Sequence, residues 1–207
     1  RLAAWAPHQA RVVRYGAPGQ DYHLQIEKHN LEGMALRLFT AEAPQGLAFE
    51  VPLYGRYNAE NVCAAIAATH GLGLGLPLAQ VLAALRDFRP AGNRSEVVVR
   101  GHRRIIQDAY NANPTSMAAA LDELLALAAD GRRVAAVLGD MLELGGLAPD
   151  AHRAVGQRLA AAEPFPVVLI GPLMAEAHRA AGPGPRHWFA TAREAAPELG
   201  RLLGGAE

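Results

Sequence analysis

The chain has 207 residues, more than the roughly 100–150 of a typical domain, so one large domain or two small ones fit. Hydrophobic residues make up 51% and charged residues 19%, which supplies a core and excludes wholesale disorder. Twenty Lys+Arg balance twenty Asp+Glu, and that neutrality excludes the basic excess of a nucleic-acid-binding module.

In chain order, the first half opens with β-structure. Arg11 to Tyr15 reads as a short strand closed by Gly16-Ala17-Pro18-Gly19. Tyr22–Glu27, Gly33–Phe39 and Ala48–Leu53 alternate polar and apolar residues, as antiparallel strands with one wet face do. Lys28 then falls at a hairpin tip as a surface charge. A helix is predicted from Asn58 to His70, with Val62, Ile66 and Ala67 inward and Gly71 as its stop. A second follows from Leu78 to Phe88 on a stripe of Leu78, Val81, Leu82 and Leu85. The breakers in Phe88-Arg89-Pro90-Ala91-Gly92-Asn93 mark the domain boundary.

The second half changes rhythm. Val97–Arg100 and Arg103–Ile106 flank Gly101-His102, a two-residue hairpin signal. Asn113 caps a helix that Pro114 opens, with Leu121, Leu124, Leu125 and Ala128 on its apolar face. Val134–Leu138, Val167–Gly171 and Trp188–Ala190 are short apolar strands. Between them lie helices over about 150–162 and 173–181, and Thr191-x-x-Glu194 is a capping box opening the last helix. This alternation predicts a small doubly wound parallel sheet covered on both faces. Ligands of such sheets bind beyond the carboxyl ends of the strands. There the polar segments Asp108–Pro114 and Gly139–Gly145 are expected to carry the chemistry.

Several chemistries are excluded by composition. Lys28 is the only lysine and no Gly-x-x-x-x-Gly-Lys-[Ser/Thr] occurs, so no phosphate loop is encoded. Gly71-Leu72-Gly73-Leu74-Gly75 follows a helix rather than a strand and reads as a connector. Serine occurs only at 95 and 116, which excludes a Gly-x-Ser-x-Gly nucleophile elbow. The histidines show no metal spacing, and Cys63 is the only cysteine, which fits a reducing cytosolic compartment without disulfides. No apolar run reaches the ~18–20 residues of a membrane span, and Arg1–Trp5 lacks a signal-peptide core.

Positive candidates remain, each with a bland alternative. Asn58 is an N-cap or, with Asn61 one turn later, half of a carboxamide pair able to read an adenine. Arg94 is a solvated charge or a bidentate phosphate clamp at the boundary. Asp108 is an Asx-turn residue or a carboxylate that accepts ribose hydroxyls.

Together these segments resemble a family. Gly55-x-Tyr57-Asn58-x-x-Asn61, Pro90-x-Gly92-x-Arg94-x-Glu96, Asp108-x-Tyr110-Asn111-x-Asn113-Pro114 and Leu138-Gly139-Asp140-Met141-x-Glu143-Leu144-Gly145 follow the order of the Mur ligases. The last two are most similar to the members that join D-alanyl-D-alanine to UDP-N-acetylmuramoyl-tripeptide. There are departures: Tyr57 stands where the family usually has His and Ala109 where it has Ser. The family's N-terminal substrate domain, its P-loop, its magnesium-supporting lysine and a Lys-Gly-Ser-Arg-like segment after the last helix are missing from this sequence.

The resemblance implies an α/β chain. Residues 1–93 would be the tail of a β-rich central ATPase domain, and 94–207 a Rossmann-like, doubly wound C-terminal domain lacking its last strand. It implies ATP-dependent amide ligation through an acyl phosphate, in the cytoplasm and without membrane insertion, with this piece inactive alone. ATP, the UDP-linked tripeptide and D-alanyl-D-alanine are the implied partners, and Mg2+ the implied ion, held mainly by ligands outside this chain. By motif position, Arg94 and Asp108 would be catalytic. Asn58, Asn61, Arg94, Asp108 and Asn111 would bind nucleotide, and Asn113 and Asp140 the incoming dipeptide. Two other readings are a non-catalytic nucleotide- or partner-binding module and a ligase of the folylpolyglutamate synthase type.

Overall fold

The computed structural model describes residues 12–203. They form two compact units, one up to Tyr110 and one from Asn111.

The first unit is built on a four-stranded sheet in the order β1 (Tyr15–Gly16), β2 (Tyr22–Asn30), β3 (Gly33–Thr40) and β4 (Leu47–Val51). Alternation works as predicted along β3, where Met34, Leu36 and Leu38 are buried and Ala35 and Arg37 are not. The inward residues meet Tyr22, Phe49 and Val51, then Val62, Cys63 and Ile66 of α1 (Asn58–Ile66) and Leu78 and Leu82 of α2 (Leu78–Arg86). Fully burying each Leu or Ile contributes about 1.5–3 kcal/mol, so this layer holds the sheet to its helices.

Three details differ from the sequence reading. β1 is only two residues long and pairs parallel with β2, because Gly16 and Gly19 turn the chain at positive φ and Tyr22 N–H donates to the Arg14 carbonyl. Arg11, where that strand was expected to start, lies outside the described residues. Lys28 is exposed as expected, but it follows a β-bulge at Glu27, and the hairpin tip is Leu31-Glu32. Third, α1 runs on as a π-helical turn over Ala67–Gly71. Gly71 sits there for space: a Cβ would stand 2.9 Å from Val13 Cγ1.

After α2, β5 (Glu96–Arg100) and β6 (Arg103–Gln107) form an antiparallel hairpin, and Gly101 supplies the positive φ at the turn. This hairpin belongs to the first unit.

The second unit is a three-stranded parallel sheet in the order β7 (Ala136–Gly139), β8 (Val167–Ile170), β9 (Arg186–Phe189). Helix α3 (Pro114–Ala129) precedes it, while α4 (Ala148–Ala161) and α5 (Met174–Ala181) are the crossovers. All three pack on one face around Leu121, Leu159, Leu169 and Met174. Buried Arg186 donates to the Pro183 and Leu159 carbonyls and so closes the C-terminal end of α4 against β9. Pro197 breaks the last helix into α6 (Ala192–Ala195), a 3-10 turn and α7 (Leu199–Leu202), which cover Val168, Ile170 and Phe189 on the opposite face. At four residues each, those helices span only about 6 Å apiece, and Val137 on edge strand β7 stays 47% exposed. The predicted covering of both faces therefore holds for β8 and β9 but not fully for β7. The predicted Thr191 cap forms, its Oγ1 accepting from Glu194 N–H, but the box does not close on Thr191: the Glu194 carboxylate accepts instead from Ala190 N–H, one residue earlier.

Candidate functional site

In the first unit the candidates gather at the start of α1. Gly55 takes φ +93°, and a Cβ there would meet the Tyr57 ring at 2.6 Å, so only glycine lets that ring lie down. Tyr57, not Asn58, stands at the N-cap and makes no side-chain cap. Asn58 is the first helical residue: its Nδ2 donates to the Tyr54 carbonyl at 2.7 Å, and its Oδ1 accepts from Asn61 Nδ2 at 3.0 Å. The expected cap is thus corrected, since the carboxamide turns back along the chain. The expected pairing with Asn61 is present. Asn58 is locked by these bonds, while exposed Asn61 keeps its carbonyl oxygen and one N–H without a partner among the described residues. One acceptor beside one donor matches the N6/N7 edge of adenine.

The Tyr57 hydroxyl reaches Ser95 Oγ at 2.6 Å and donates to Asp108 Oδ2 at 3.2 Å. Ser95 N–H donates to Asp108 Oδ1 at 3.1 Å. Each carboxylate oxygen therefore holds one donor and keeps further lone pairs, in a residue that is exposed. Ser95 is buried at 5% exposure and adopts φ +52°, and Asn93 adopts φ +63°. Such left-handed non-glycine residues cost about 1–3 kcal/mol each and persist only where the surroundings impose them. Next to Ser95, the Arg94 guanidinium stands 3.7 Å from the centroid of the exposed Tyr110 ring. That cation–π contact contributes about 0.5–1 kcal/mol at an exposed site.

Asp108 was expected at the carboxyl edge of the parallel sheet. It instead follows β6, which pairs only with β5 among the described residues, because the two-residue turn commits that strand to an antiparallel partner. Tyr57 and Ser95 bring it to α1.

The second unit holds Asn111, Asn113 and Asp140. Asn111 Oδ1 accepts from Ala112 N–H at 2.8 Å, a local turn. Asn113 is the predicted cap, completed by Ser116 as a reciprocal capping box. Asp140 follows β7 but turns inward. Its oxygens accept from Met174 N–H at 2.8 Å and Leu173 N–H at 3.3 Å, so it caps α5 and complements the positive end of that helix. Gly171 is obligatory beside it, since a Cβ would fall 2.4 Å from the carboxylate. His152 is fully buried: Nδ1 lies 2.7 Å from the Ala148 carbonyl, and Nε2 accepts from Met141 N–H at 3.0 Å. These partners select the neutral Nδ1–H tautomer, which fixes the Gly139-Asp140-Met141 turn.

Sequence reasoning missed Ser95, Tyr110 and His152. The signals were slight: a serine after a Gly-Asn turn, an aromatic inside the Asp108 segment, and a histidine on the inward stripe of Val155 and Leu159. Among the described residues no group of three His, Cys, Asp or Glu could hold a metal ion, and no helix is long and apolar enough to cross a membrane.

Comparison with known proteins agrees with these segments. Residues 93–204 match the model of the Mur ligase glutamate ligase domain, and residues 1–69 that of the Mur ligase middle domain. The chain belongs to the Mur ligase family. A UDP-N-acetylmuramoyl-tripeptide–D-alanyl-D-alanine ligase of Treponema pallidum is 34% identical over 193 residues, which are 93% of this chain and 40% of that protein. The corresponding ligase of Bacillus subtilis is 37% identical over 66% of this chain and 28% of its own length. MurF from Acinetobacter baumannii superposes with a TM-score of 0.76 at 30% identity, over 91% of this chain and 40% of that one. The chain thus spans about two fifths or less of these Mur ligases' length. MurF from Thermotoga maritima, solved with ADP, shares the fold at 18% identity and a TM-score of 0.70.

Proposed function

We propose that this chain is part of an ATP-dependent ligase that adds D-alanyl-D-alanine to UDP-N-acetylmuramoyl-tripeptide in cytoplasmic peptidoglycan precursor synthesis. The observation that carries this reading is the Asn58–Asn61 carboxamide pair beside a doubly anchored, exposed Asp108. That arrangement suits the base and ribose of a nucleotide, and the relatives' activity supplies the rest of the assignment.

In this reading Asn61 reads the adenine edge, with Asn58 holding its amide in orientation. Asp108 accepts the ribose hydroxyls, and Arg94 supplies positive charge to the phosphates. ATP phosphorylates the carboxylate of the tripeptide. The dipeptide amine then attacks the acyl phosphate, and the tetrahedral intermediate collapses to amide and phosphate. Such a reaction depends on positioning and charge neutralisation rather than on a protein nucleophile. Asn111 is assigned to the nucleotide by its place in the Asp108 segment. Asn113 fixes the start of α3, and Asp140 shapes the loop that faces the dipeptide. Mg2+ would neutralise phosphate charge when bound. Among the described residues no group of three His, Cys, Asp or Glu could hold it. Residues 1–93 and 94–207 correspond here to the end of the central domain and to the C-terminal domain.

The test is ADP release by the full-length protein. It should require both the UDP-linked tripeptide and D-alanyl-D-alanine, and Asn61→Ala should raise the KM for ATP. ADP release indifferent to the dipeptide would overturn the assignment.

A further inference from the structure

Asp108 can serve a nucleotide only if its carboxylate keeps one orientation. It is exposed, and a free aspartate at a chain turn samples several rotamers. Among the described residues two groups restrain it. One is the backbone N–H of Ser95, which no side-chain substitution removes. The other is the hydroxyl of Tyr57, which comes from a segment 51 residues away in sequence.

The Tyr57 hydroxyl is itself placed with care. Its ring rests against Gly55, where only a glycine fits, and its oxygen lies 2.6 Å from the buried Ser95 Oγ. A hydroxyl that receives the Ser95 proton can direct its own proton at Asp108, so the chain Ser95 Oγ–Tyr57 Oη–Asp108 Oδ2 orders in one direction. The same serine supplies the second anchor through its backbone. With one donor on each oxygen the carboxylate plane is fixed, and each oxygen of this exposed side chain keeps lone pairs with which to accept. Two adjacent acceptors are what a vicinal diol requires.

We propose that Tyr57 is a positioning residue for nucleotide binding, holding Asp108 in the orientation that receives the ribose diol, with Ser95 orienting Tyr57 in turn. The inference rests on the reading of Asp108 as a nucleotide-binding residue.

The experiment uses the full-length ligase with ATP and 2′-deoxy-ATP. Tyr57→Phe keeps the ring on Gly55 and removes only the hydroxyl. It should raise the KM for ATP about tenfold, with kcat within about twofold and the KM for D-alanyl-D-alanine unchanged. The preference for ATP over 2′-deoxy-ATP should shrink by a similar factor. Ser95→Ala should move the same constants by about threefold, and the double variant should be no worse than Tyr57→Phe alone, because Ser95 Oγ reaches Asp108 only through Tyr57. A thermal melt beside each assay separates folding from binding. Tyr57→Phe that lowers the melting temperature yet leaves the KM for ATP and the ribose preference untouched overturns the proposal. Fully additive variants overturn the relay from Ser95. Asp108→Asn is the control: if it too leaves the KM for ATP unchanged, the underlying reading of Asp108 is wrong. If it raises KM while Tyr57→Phe does not, only the positioning role falls.

Discussion

Asp108 and Asp140 make an instructive pair. Each follows a β-strand, each accepts two hydrogen bonds, and each lies in a polar segment that the sequence marks as functional. Asp108 in the first unit is exposed, and its anchors leave lone pairs open. Asp140 in the second is 12% exposed, packed under Gly171, and satisfied by the backbone N–H groups of Leu173 and Met174 at the start of α5. A carboxylate is available for chemistry or committed to architecture according to where its donors come from. Side chains and a turn leave Asp108 a free side, whereas a helix terminus draws Asp140 in.

Exchanging oxygen for nitrogen at both positions tests that contrast. If the full-length protein is the ligase proposed above, Asp108→Asn should lower its kcat/KM by ~10²-fold or more, about 2.7 kcal/mol of transition-state stabilisation, with little change in melting temperature. If Asp108 only shapes its turn, Asn will replace it almost silently in steady-state kinetics, because both side chains make an Asx turn. Asp140→Asn should do the reverse. One N–H of α5 then faces an amide nitrogen, at a cost of about 2 kcal/mol. That is a drop of roughly 8–16 °C in the midpoint of the second unit, at ~4–8 °C per kcal/mol. Calorimetry would show the contrast to be mistaken if the Asp140 variant melted like the wild type.

The buried Cys63 thiol in the first unit gives a third, smaller test. Burial pushes its pKa above the ordinary value of 9.0, Glu60 adds to this, and a backbone hydrogen bond from Gly16 opposes it. The folded state thus holds the proton more tightly than the unfolded one. Stability should be unaffected below pH 9 and decline above it, by at most about 1.4 kcal/mol per pH unit. Urea melts at pH 7 and pH 10 should reveal this slope, and Cys63→Ala should flatten it. A wild-type slope that survives in Cys63→Ala would assign the effect to other groups.

The smallest expected effect concerns the border between the units. Residues 111–207 own two apolar clusters, and the hairpin β5–β6 belongs to the first unit. Residues 95–207 and 111–207 should both unfold cooperatively, with midpoints within about 4 °C, under 1 kcal/mol. A cooperative transition for 95–207 and a molten, dye-binding product for 111–207 would move the border back towards Asn93.

Local pattern made much of this readable in advance. Period-2 alternation located β2, β3 and β4, since one wet face forces that pattern. Asn113-Pro114 and Thr191-x-x-Glu194 located helix starts, because capping is decided within four residues. The ordered segments around Asn58, Arg94, Asp108 and Asp140 pointed to the family, and the family matches agree. What the sequence could not supply is pairing at a distance. That β1 runs parallel to β2, that β6 pairs with β5 rather than joining the parallel sheet, and that Val137 lacks cover depend on which strands and helices meet. The same holds at the site. Asn58 reads as a cap until the Tyr54 carbonyl claims its amide, and Asp140 reads as a free carboxylate until the start of α5 claims its oxygens. Residue type and spacing determine which groups can donate or accept; only the tertiary structure decides which of those capacities are already used and which remain for a substrate.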